Sequence, residues 1–104
     1  MKLTGSSAGI LRQLAETPFL GRGELAPMSG WSDSVVYRTV DRLEDFGLIA
    51  SVPHATELLS RTERYYLTAA GVEELSRLVG KPVEAVLRTY PVSAQWHNLL
   101  MERL

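Results

Sequence analysis

The sequence contains no cysteine and only two histidines, which removes several kinds of site at once. Without thiols there is no disulfide and no thiolate metal site, and a cysteine-free chain suits a reducing cytoplasm. The histidines, His54 and His97, lie far apart and have no carboxylates at ligand spacing, so we expect no zinc site. The sequence therefore predicts a cytoplasmic protein that uses no metal and no cofactor.

Long apolar runs and catalytic motifs are also missing. No stretch of about 18 apolar residues is present, so we expect no membrane-crossing segment, and the first residues lack the apolar core of a signal peptide. The serines have no histidine and aspartate placed for nucleophilic catalysis. Gly21-Arg22-Gly23 lacks the third glycine of a dinucleotide-binding loop. We therefore predict that the protein is not an enzyme.

A basic excess, which often marks a DNA-binding domain, is absent as well. The formal net charge is -1 at pH 7, so any positive surface must come from the local arrangement of side chains. The length of 104 residues and the apolar share of 45% are those of one ordinary globular domain that buries its own core.

Helical spacing of apolar residues predicts three helices in the first half of the chain. The first covers residues 6–16. The second is brief and opens at Gly21-Arg22-Gly23, and Pro27 requires it either to be short or to start with Pro27 in its first turn. The third follows the N-cap residue Ser32 and ends at Gly47.

A β-hairpin is expected after the third helix. The apolar, partly β-branched residues 48–52 predict a strand that Pro53 ends, and residues 64–67 predict the return strand. The polar stretch 54–63 between them is expected to form a loop.

Three more helices complete the prediction. Thr68 caps a fourth helix that Gly80 ends. Pro82 starts a fifth, and Ser93 caps a last one after Pro91 breaks the chain. We expect residues 1–80 to form the domain and residues 81–104 to form a C-terminal helical extension. The sequence stops inside the last predicted helix, which leaves open that it is the N-terminal part of a longer protein.

This order of elements predicts a mainly α protein with a small β-hairpin, arranged as a winged helix-turn-helix. The two helices on either side of a tight turn form the helix-turn-helix, and the hairpin is the wing. The residues expected on the inward faces, and so in one common core, are Val36, Val40, Leu43, Ile49, Leu67 and Leu75.

Several segments resemble winged helix regulators of the MarR and PadR kind. They are Leu25 to Gly30, Ser32-Asp33-Ser34-Val35-Val36-Tyr37-Arg38 and Phe46-Gly47-Leu48-Ile49, with Arg64-Tyr65-Tyr66-Leu67-Thr68 resembling the wing-to-helix junction. The part from Tyr90-Pro91-Val92-Ser93 onward resembles the replication-relaxation group of plasmid-associated winged helix proteins. The resemblance implies sequence-specific binding of double-stranded DNA by a transcriptional regulator, or by the DNA-binding module of a longer protein.

A DNA-binding function needs side chains that reach the duplex from the third helix and the wing. A helix fits the major groove, and its N-terminal turns approach the base edges. Hydroxyl groups at the helix start can bond phosphates, while longer side chains reach bases or the neighbouring backbone. The predicted DNA-binding residues are Arg22, Ser32, Ser34, Tyr37, Arg38, Arg42, Arg61 and Arg64.

The acidic content of the third helix supports an alternative function. Residues 32–46 carry two arginines against four acidic residues, and Asp41 is close enough to the expected contact face to repel phosphates. The arginines are also free to pair with acids of their own helix, and Tyr37 is equally able to lean on a neighbouring helix. Together with Leu58 and Leu59 in the wing loop, these features favour a winged helix that contacts proteins without binding DNA. No pattern marks a pocket for a small-molecule effector.

The C-terminal extension carries more apolar surface than a small domain easily covers. Its helices either fold back onto the first helix or pair with a second copy. A dimer presents two recognition helices about 34 Å apart, one turn of DNA, so we predict a homodimer. The predicted interface residues are Leu87, Tyr90, Trp96, Leu99 and Leu100.

Overall fold

The computed structural model describes residues 5–55 and 61–102, with only the backbone described for residues 53–55, 61–62 and 100–101. Within these ranges lie six helices and one antiparallel hairpin, as the sequence predicts. In chain order they are α1 (Gly5–Glu16), α2 (Arg22–Ser29), α3 (Asp33–Asp45), β1 (Ile49–Ala55), β2 (Arg61–Leu67), α4 (Ala69–Val79), α5 (Val83–Thr89) and α6 (Pro91–Glu102).

The short helix α2 begins at Arg22 and contains Pro27 in its interior. A start with Pro27 in the first turn is therefore wrong, and the other expectation, a short helix, is confirmed. The missing N–H of Pro27 removes one backbone hydrogen bond, which an eight-residue helix that ends at Ser29 tolerates. Gly30 then adopts φ 80°, and its N–H donates to the Ala26 carbonyl, so the chain turns sharply into α3.

The third helix, α3, has the predicted start and end. The Ser32 hydroxyl accepts a hydrogen bond from the Val35 N–H at 3.4 Å, which satisfies one free donor of the first turn. At the other end Gly47 adopts φ 73°, a left-handed conformation that glycine enters without steric cost. The Leu48 N–H then donates to the Leu43 carbonyl at 3.0 Å and directs the chain into β1.

The hairpin is longer than the sequence predicts. β1 continues through Pro53 to Ala55, and its register pairs Ile49 with Leu67 and Pro53 with Glu63. The prediction that Pro53 ends the strand is wrong, and part of the expected loop on either side of the tip is strand. An edge strand accepts proline where its N–H is not needed for the ladder. Leu58 and Leu59 lie outside the described residues.

The core lies between α1, α3, α4 and the hairpin. All six residues predicted from the sequence to be buried together are at most 5% exposed, so this prediction is confirmed. The buried apolar cluster also contains the inward face of α1 and Val86 of α5. Its described members outside the predicted set are Ile10, Leu11, Leu14, Ala15, Leu20, Leu25, Ala26, Leu48, Tyr65, Val72 and Val86.

The two C-terminal helices pack against the rest of the domain. Ser93 is buried and its hydroxyl donates to the Ala15 carbonyl of α1 at 2.6 Å. The prediction that Ser93 caps the last helix is therefore wrong, because α6 already begins at Pro91 and the hydroxyl bonds α1 instead. Trp96 lies against Phe19 and Tyr66, with ring centroids 5.0 and 5.4 Å away. The C-terminal helices therefore fold back onto α1 within the chain, which is one of the two outcomes that the sequence left open.

We expect Leu43→Ala to destabilise the protein by about 2–5 kcal/mol, because Leu43 is fully buried and its truncation leaves a cavity. Leu78→Ala is the matched control: Leu78 is 42% exposed on α4, so its truncation should change stability by less than about 0.5 kcal/mol. Urea unfolding of the three proteins measures both effects. Equal midpoints for the parent and Leu43→Ala would contradict the placement of Leu43 in the core.

A second stability test uses the close approach of α4 to the chain before β1. A Cβ added at Gly71 would collide with the carbonyl oxygen of Leu48, a backbone atom that cannot rotate away. We expect Gly71→Ala to cost about 1–3 kcal/mol through this overlap. Gly23→Ala in α2 meets nothing within 4 Å and should be neutral or stabilising by up to about 1 kcal/mol. Thermal unfolding that ranks the two variants in the opposite order would refute this packing.

Candidate DNA-binding surface

The outward face of α3 forms a polar ridge. Its inward face is buried through Val36, Thr39, Val40 and Leu43, which places the remaining positions toward solvent. The exposed residues of this ridge include Ser32, Ser34, Tyr37, Arg38, Asp41 and Arg42. Five of these six were predicted from the sequence to contact DNA, and the structure places those five side by side. Asp41 is the acidic residue among them.

Two clefts flank this ridge. The first, with a volume of about 410 Å³, lies between the start of α2, the ridge and β2; it is lined by Gly21, Arg22, Gly23, Glu24, Tyr37, Glu63, Arg64 and Tyr65. The second, of about 360 Å³, lies between α1 and the ridge and is lined by Ser6, Ser7, Val35, Arg38, Thr39 and Arg42. The first cleft therefore joins the helix-turn-helix to the root of the wing.

Arg22 crosses the first cleft and bonds three groups at once. Its Nε donates to the Tyr65 hydroxyl at 2.8 Å, and its Nη1 donates to the Tyr37 carbonyl at 3.1 Å. Its Nη2 donates to Oδ1 of Asp41 at 2.6 Å, which forms an ion pair. The guanidinium also lies 5.3 and 5.4 Å from the ring centroids of Tyr37 and Tyr65. Arg22 thus links α2 to both α3 and β2.

Burial and these bonds together raise the pKa values of both Arg22 and Tyr65. Burial lowers the pKa of Arg22, but the hydrogen bonds to Asp41 and Tyr65 outweigh it, so the pKa is raised overall and the guanidinium stays charged. Burial raises the pKa of Tyr65, and the hydrogen bond from Arg22 offsets only part of that rise. Tyr65 therefore remains a neutral phenol beside a permanent cation.

Arg64 is held in a similar way at the root of the wing. Its Nη1 donates to Oε1 of Glu24 at 2.5 Å and lies 3.4 Å from the Phe19 carbonyl. The same Glu24 oxygen accepts the Gly21 N–H at 3.1 Å, which ties the start of α2 to the wing. Two of the arginines predicted to contact phosphate, Arg22 and Arg64, are thus paired with carboxylates of their own chain.

Arg38 and Arg42 differ from them. Both are exposed, and neither forms an ion pair with any residue in the described part of the chain. The pairing with acids of their own helix that the sequence left open is not formed, because Asp41 faces Arg22 instead. Glu44, the acid after them, accepts a hydrogen bond from the Ser51 hydroxyl at 3.3 Å. The free cations of the ridge therefore lie on the side of the second cleft.

The other predicted site residues are placed as follows. Tyr37 is 47% exposed, with one face of its ring toward Arg22. Ser34 lies at the helix start, its hydroxyl oxygen 3.4 Å from that of Ser32. Arg61 belongs to β2 and pairs with Ala55, and its side chain lies outside the described residues. The direct roles of all these residues in DNA contact remain predictions.

The residues predicted for dimerisation divide into two groups. Leu87 and Tyr90 are partly buried against the core, and Trp96 is half-buried among aromatic rings. Leu99 is 48% exposed, and the side chain of Leu100 lies outside the described residues. Among the predicted interface residues whose side chains the structure describes, Leu99 is therefore the exposed one.

Sequence reasoning missed the partners of Arg22. It treated Arg22 as a phosphate contact, it considered Asp41 only as a repulsive charge or as a partner for arginines of its own helix, and it did not consider Glu24 as a partner of the wing. Arg22 and Tyr65 are 43 positions apart, and Arg22 and Asp41 are 19 apart, so no local periodicity connects them. The position of Asp41 on a predicted DNA-contact face was the one feature of the sequence that suggested a nearby cation.

Comparison with solved structures agrees with this arrangement. The transcriptional regulator SlyA superposes with a TM-score of 0.65 and 22% identity over 90% of this chain and 59% of its own. The repressor CouR, solved bound to a 23-mer DNA duplex, superposes with a TM-score of 0.64 and 21% identity over 86% of this chain and 58% of its own. ZitR from Lactococcus lactis, a zinc-responsive MarR family member, superposes with a TM-score of 0.65 and 21% identity. The match covers 99% of this chain and 77% of ZitR. The chain has a MarR-type winged helix fold.

Sequence comparison adds nothing to this, since no protein-family model matches the chain and no curated protein matches it. The chain spans less than two thirds of the length of SlyA and of CouR. Within the MarR-type fold, α2 and α3 are the helix-turn-helix and the hairpin is the wing. No helix in residues 5–55 and 61–102 is long and apolar enough to cross a membrane. The same ranges contain no cluster of three or more potential metal-binding side chains.

Proposed function

We propose that this protein binds double-stranded DNA, with sequence preference, through α3 and the wing, as a transcriptional regulator or as the DNA-binding module of one. The observation that supports it best is the pair of exposed, unpaired arginines, Arg38 and Arg42, on a ridge whose start is lined by hydroxyl groups. Guanidinium groups are the side chains best suited to phosphates and to guanine edges. CouR, which shares the fold, is DNA-bound in its solved structure.

Three of the four acidic residues of α3, all but Asp33 in its first turn, are compatible with this function because of where they lie. Asp41 is paired with Arg22, and Glu44 accepts a hydrogen bond from Ser51 on β1. Asp45 stands eleven positions beyond Ser34, about 16 Å further along the helix axis. The net charge of α3 is negative. Its two cations, Arg38 and Arg42, nevertheless have no carboxylate partner in the described chain.

Exposed apolar side chains keep the alternative, a protein-contact module, as a second candidate. Met28 and Trp31 are 49% and 43% exposed at the turn between α2 and α3. Large apolar side chains at a solvent-facing turn are typical of contact surfaces for proteins. Measurements with DNA separate the two candidates.

We also propose that two copies associate through α6. Val92 and Leu99 are 56% and 48% exposed and lie seven residues apart, so they occupy the same side of this helix. Burial of this stripe against its twin would remove apolar surface from water. A dimer would also present two copies of α3 to one duplex, which doubles a small set of cationic contacts.

We expect the protein to bind a fluorescently labelled random-sequence duplex with an affinity that falls steeply as salt rises. Each phosphate contact contributes about 0.9 to the slope of log affinity against log salt. Arg38→Ala and Arg42→Ala, made singly, should each weaken binding and lower this slope by up to that amount. Fluorescence anisotropy at several salt concentrations measures both quantities.

Arg88→Ala is the control for this experiment. Arg88 is an exposed arginine on α5, away from the ridge, and its removal changes the net charge by the same amount. It should bind the duplex like the parent. Absence of binding at low salt, or equal losses in all three variants, would favour the protein-contact function instead.

For the dimer, light scattering at micromolar concentration should give twice the monomer mass of 11.5 kDa. Leu99→Lys should shift the protein toward monomers, since a charge in an apolar interface is costly to desolvate. Leu78→Lys on α4 places the same charge at a similarly exposed leucine and should leave the dimer intact. A parent protein that is monomeric would end this proposal, and a dimer insensitive to Leu99→Lys would move the interface away from α6.

A further inference from the structure

Arg22 stands where a phosphate-contacting arginine would be expected, yet three of its five N–H donors already have acceptors within the chain. Nε, Nη1 and Nη2 each have an acceptor within the chain, and the side chain is only 23% exposed. A guanidinium has five N–H donors, and those that define its orientation here point to Tyr65, to the Tyr37 carbonyl and to Asp41. The two remaining N–H donors, one on Nη1 and one on Nη2, belong to a guanidinium that is held among these acceptors and is mostly shielded from solvent.

Asp41, unlike Arg22, is mostly exposed to solvent. Its side chain is 63% exposed on the ridge, one turn beyond Tyr37 and Arg38, so it faces the same side as the proposed contacts. A carboxylate there would repel the phosphate backbone if it were unopposed, by about 1 kcal/mol for a charge 4 Å away in water. Arg22 bonds Oδ1 of this carboxylate and brings a compensating charge to it.

We propose that Arg22 is a positioning residue that neutralises and holds Asp41, so that α3 can approach DNA, and that it is not itself a phosphate ligand. The inference rests on the proposed DNA-binding function. Tyr65 gives Arg22 its place: its hydroxyl accepts from Nε at 2.8 Å, and its own ring is 2% exposed in the core. The cation is thereby fixed to β2, and Asp41 is drawn toward the first cleft and away from Arg38.

The proposal accounts for the division of arginines seen on this surface. Arg22 and Arg64 line the first cleft and pair with Asp41 and Glu24. Arg38 and Arg42 line the second cleft and carry no carboxylate partner in the described ranges. The side of the first cleft thus has no excess of positive charge, since Glu63 lines it as well, whereas the lining of the second cleft contains arginines and no acidic residue.

The test is a rescue experiment with the full chain and a labelled random-sequence duplex at low salt. Arg22→Gln should weaken binding about fivefold, because it leaves the Asp41 carboxylate unopposed. The double variant Arg22→Gln/Asp41→Asn removes both charges and should return to within about twofold of the parent. A double variant as weak as Arg22→Gln would overturn the proposal, since a lost phosphate ligand is not restored by removing Asp41.

Asp41→Asn alone provides a second criterion that does not depend on the folding of Arg22→Gln. It should bind at least as tightly as the parent, because one repulsive charge is gone and Arg22 remains. Weaker binding would overturn the proposal by showing that the carboxylate itself contacts DNA, for example a cytosine amino group. Circular dichroism and the thermal midpoint establish that each variant is folded.

Arg88→Gln controls for the change in net charge and should bind like the parent. The two levels of the hypothesis fail in different ways. If the parent does not bind the duplex, the proposed function is wrong and this inference falls with it. If the parent binds and the double variant does not recover, DNA binding stands and only the role of Arg22 is wrong.

Discussion

Tyr65 lies in β2 with 2% of its surface exposed and forms three hydrogen bonds that tie β2 to α2 and to the segment before it. Its N–H donates to the Leu20 carbonyl at 2.9 Å, and its carbonyl accepts from the Phe19 N–H at 2.7 Å. Its hydroxyl accepts from Arg22. The segment between α1 and α2 is thereby added to the free side of the hairpin, and Phe19 adopts φ 69° to make the connection, an uncommon conformation for an aromatic residue. The wing, the helix-turn-helix and the first cleft all meet at this one buried side chain.

The electrostatics of the contact surface follow from that connection. A protein with a net charge of -1 can bind a polyanion only if its cations and acids are separated in space. Here Asp41 and Glu24 are paired with Arg22 and Arg64 at the first cleft, and the second cleft keeps its arginines unpaired within the described residues. Local separation of charge thus gives a chain with a small negative net charge a patch of positive charge beside α3.

The C-terminal helices complete the packing of the core. Val86 is in the core, and Ser93 bonds the last turn of α1, so α5 and α6 cover apolar surface that the winged helix alone would leave exposed. The aromatic group of Phe19, Tyr66 and Trp96 connects α6 to the wing root and to the strained position at residue 19. The exposed stripe of Val92 and Leu99 is what remains after this folding, and the proposed pairing of two chains concerns that remainder.

The sequence by itself determined the elements whose signals are local. Ser32 and Thr68 fixed two helix starts, Gly47 and Gly80 two ends, and the spacing of Val36, Val40 and Leu43 the buried face of α3, because caps, left-handed turns and helical periodicity act over a few residues. The extent of the hairpin beyond Pro53 was not determined in this way, since a strand depends on its partner.

Tertiary structure alone decided the partner of each charged group. Whether Arg22 meets a phosphate, Asp41 or Tyr65 depends on how α2, α3 and β2 stand relative to one another, and that is set by the burial of side chains far apart in sequence. The same holds for Ser93, a plausible cap in the sequence whose hydroxyl instead bonds α1. Composition and spacing place polar groups on faces of helices, but only the packing of those helices assigns them to one another.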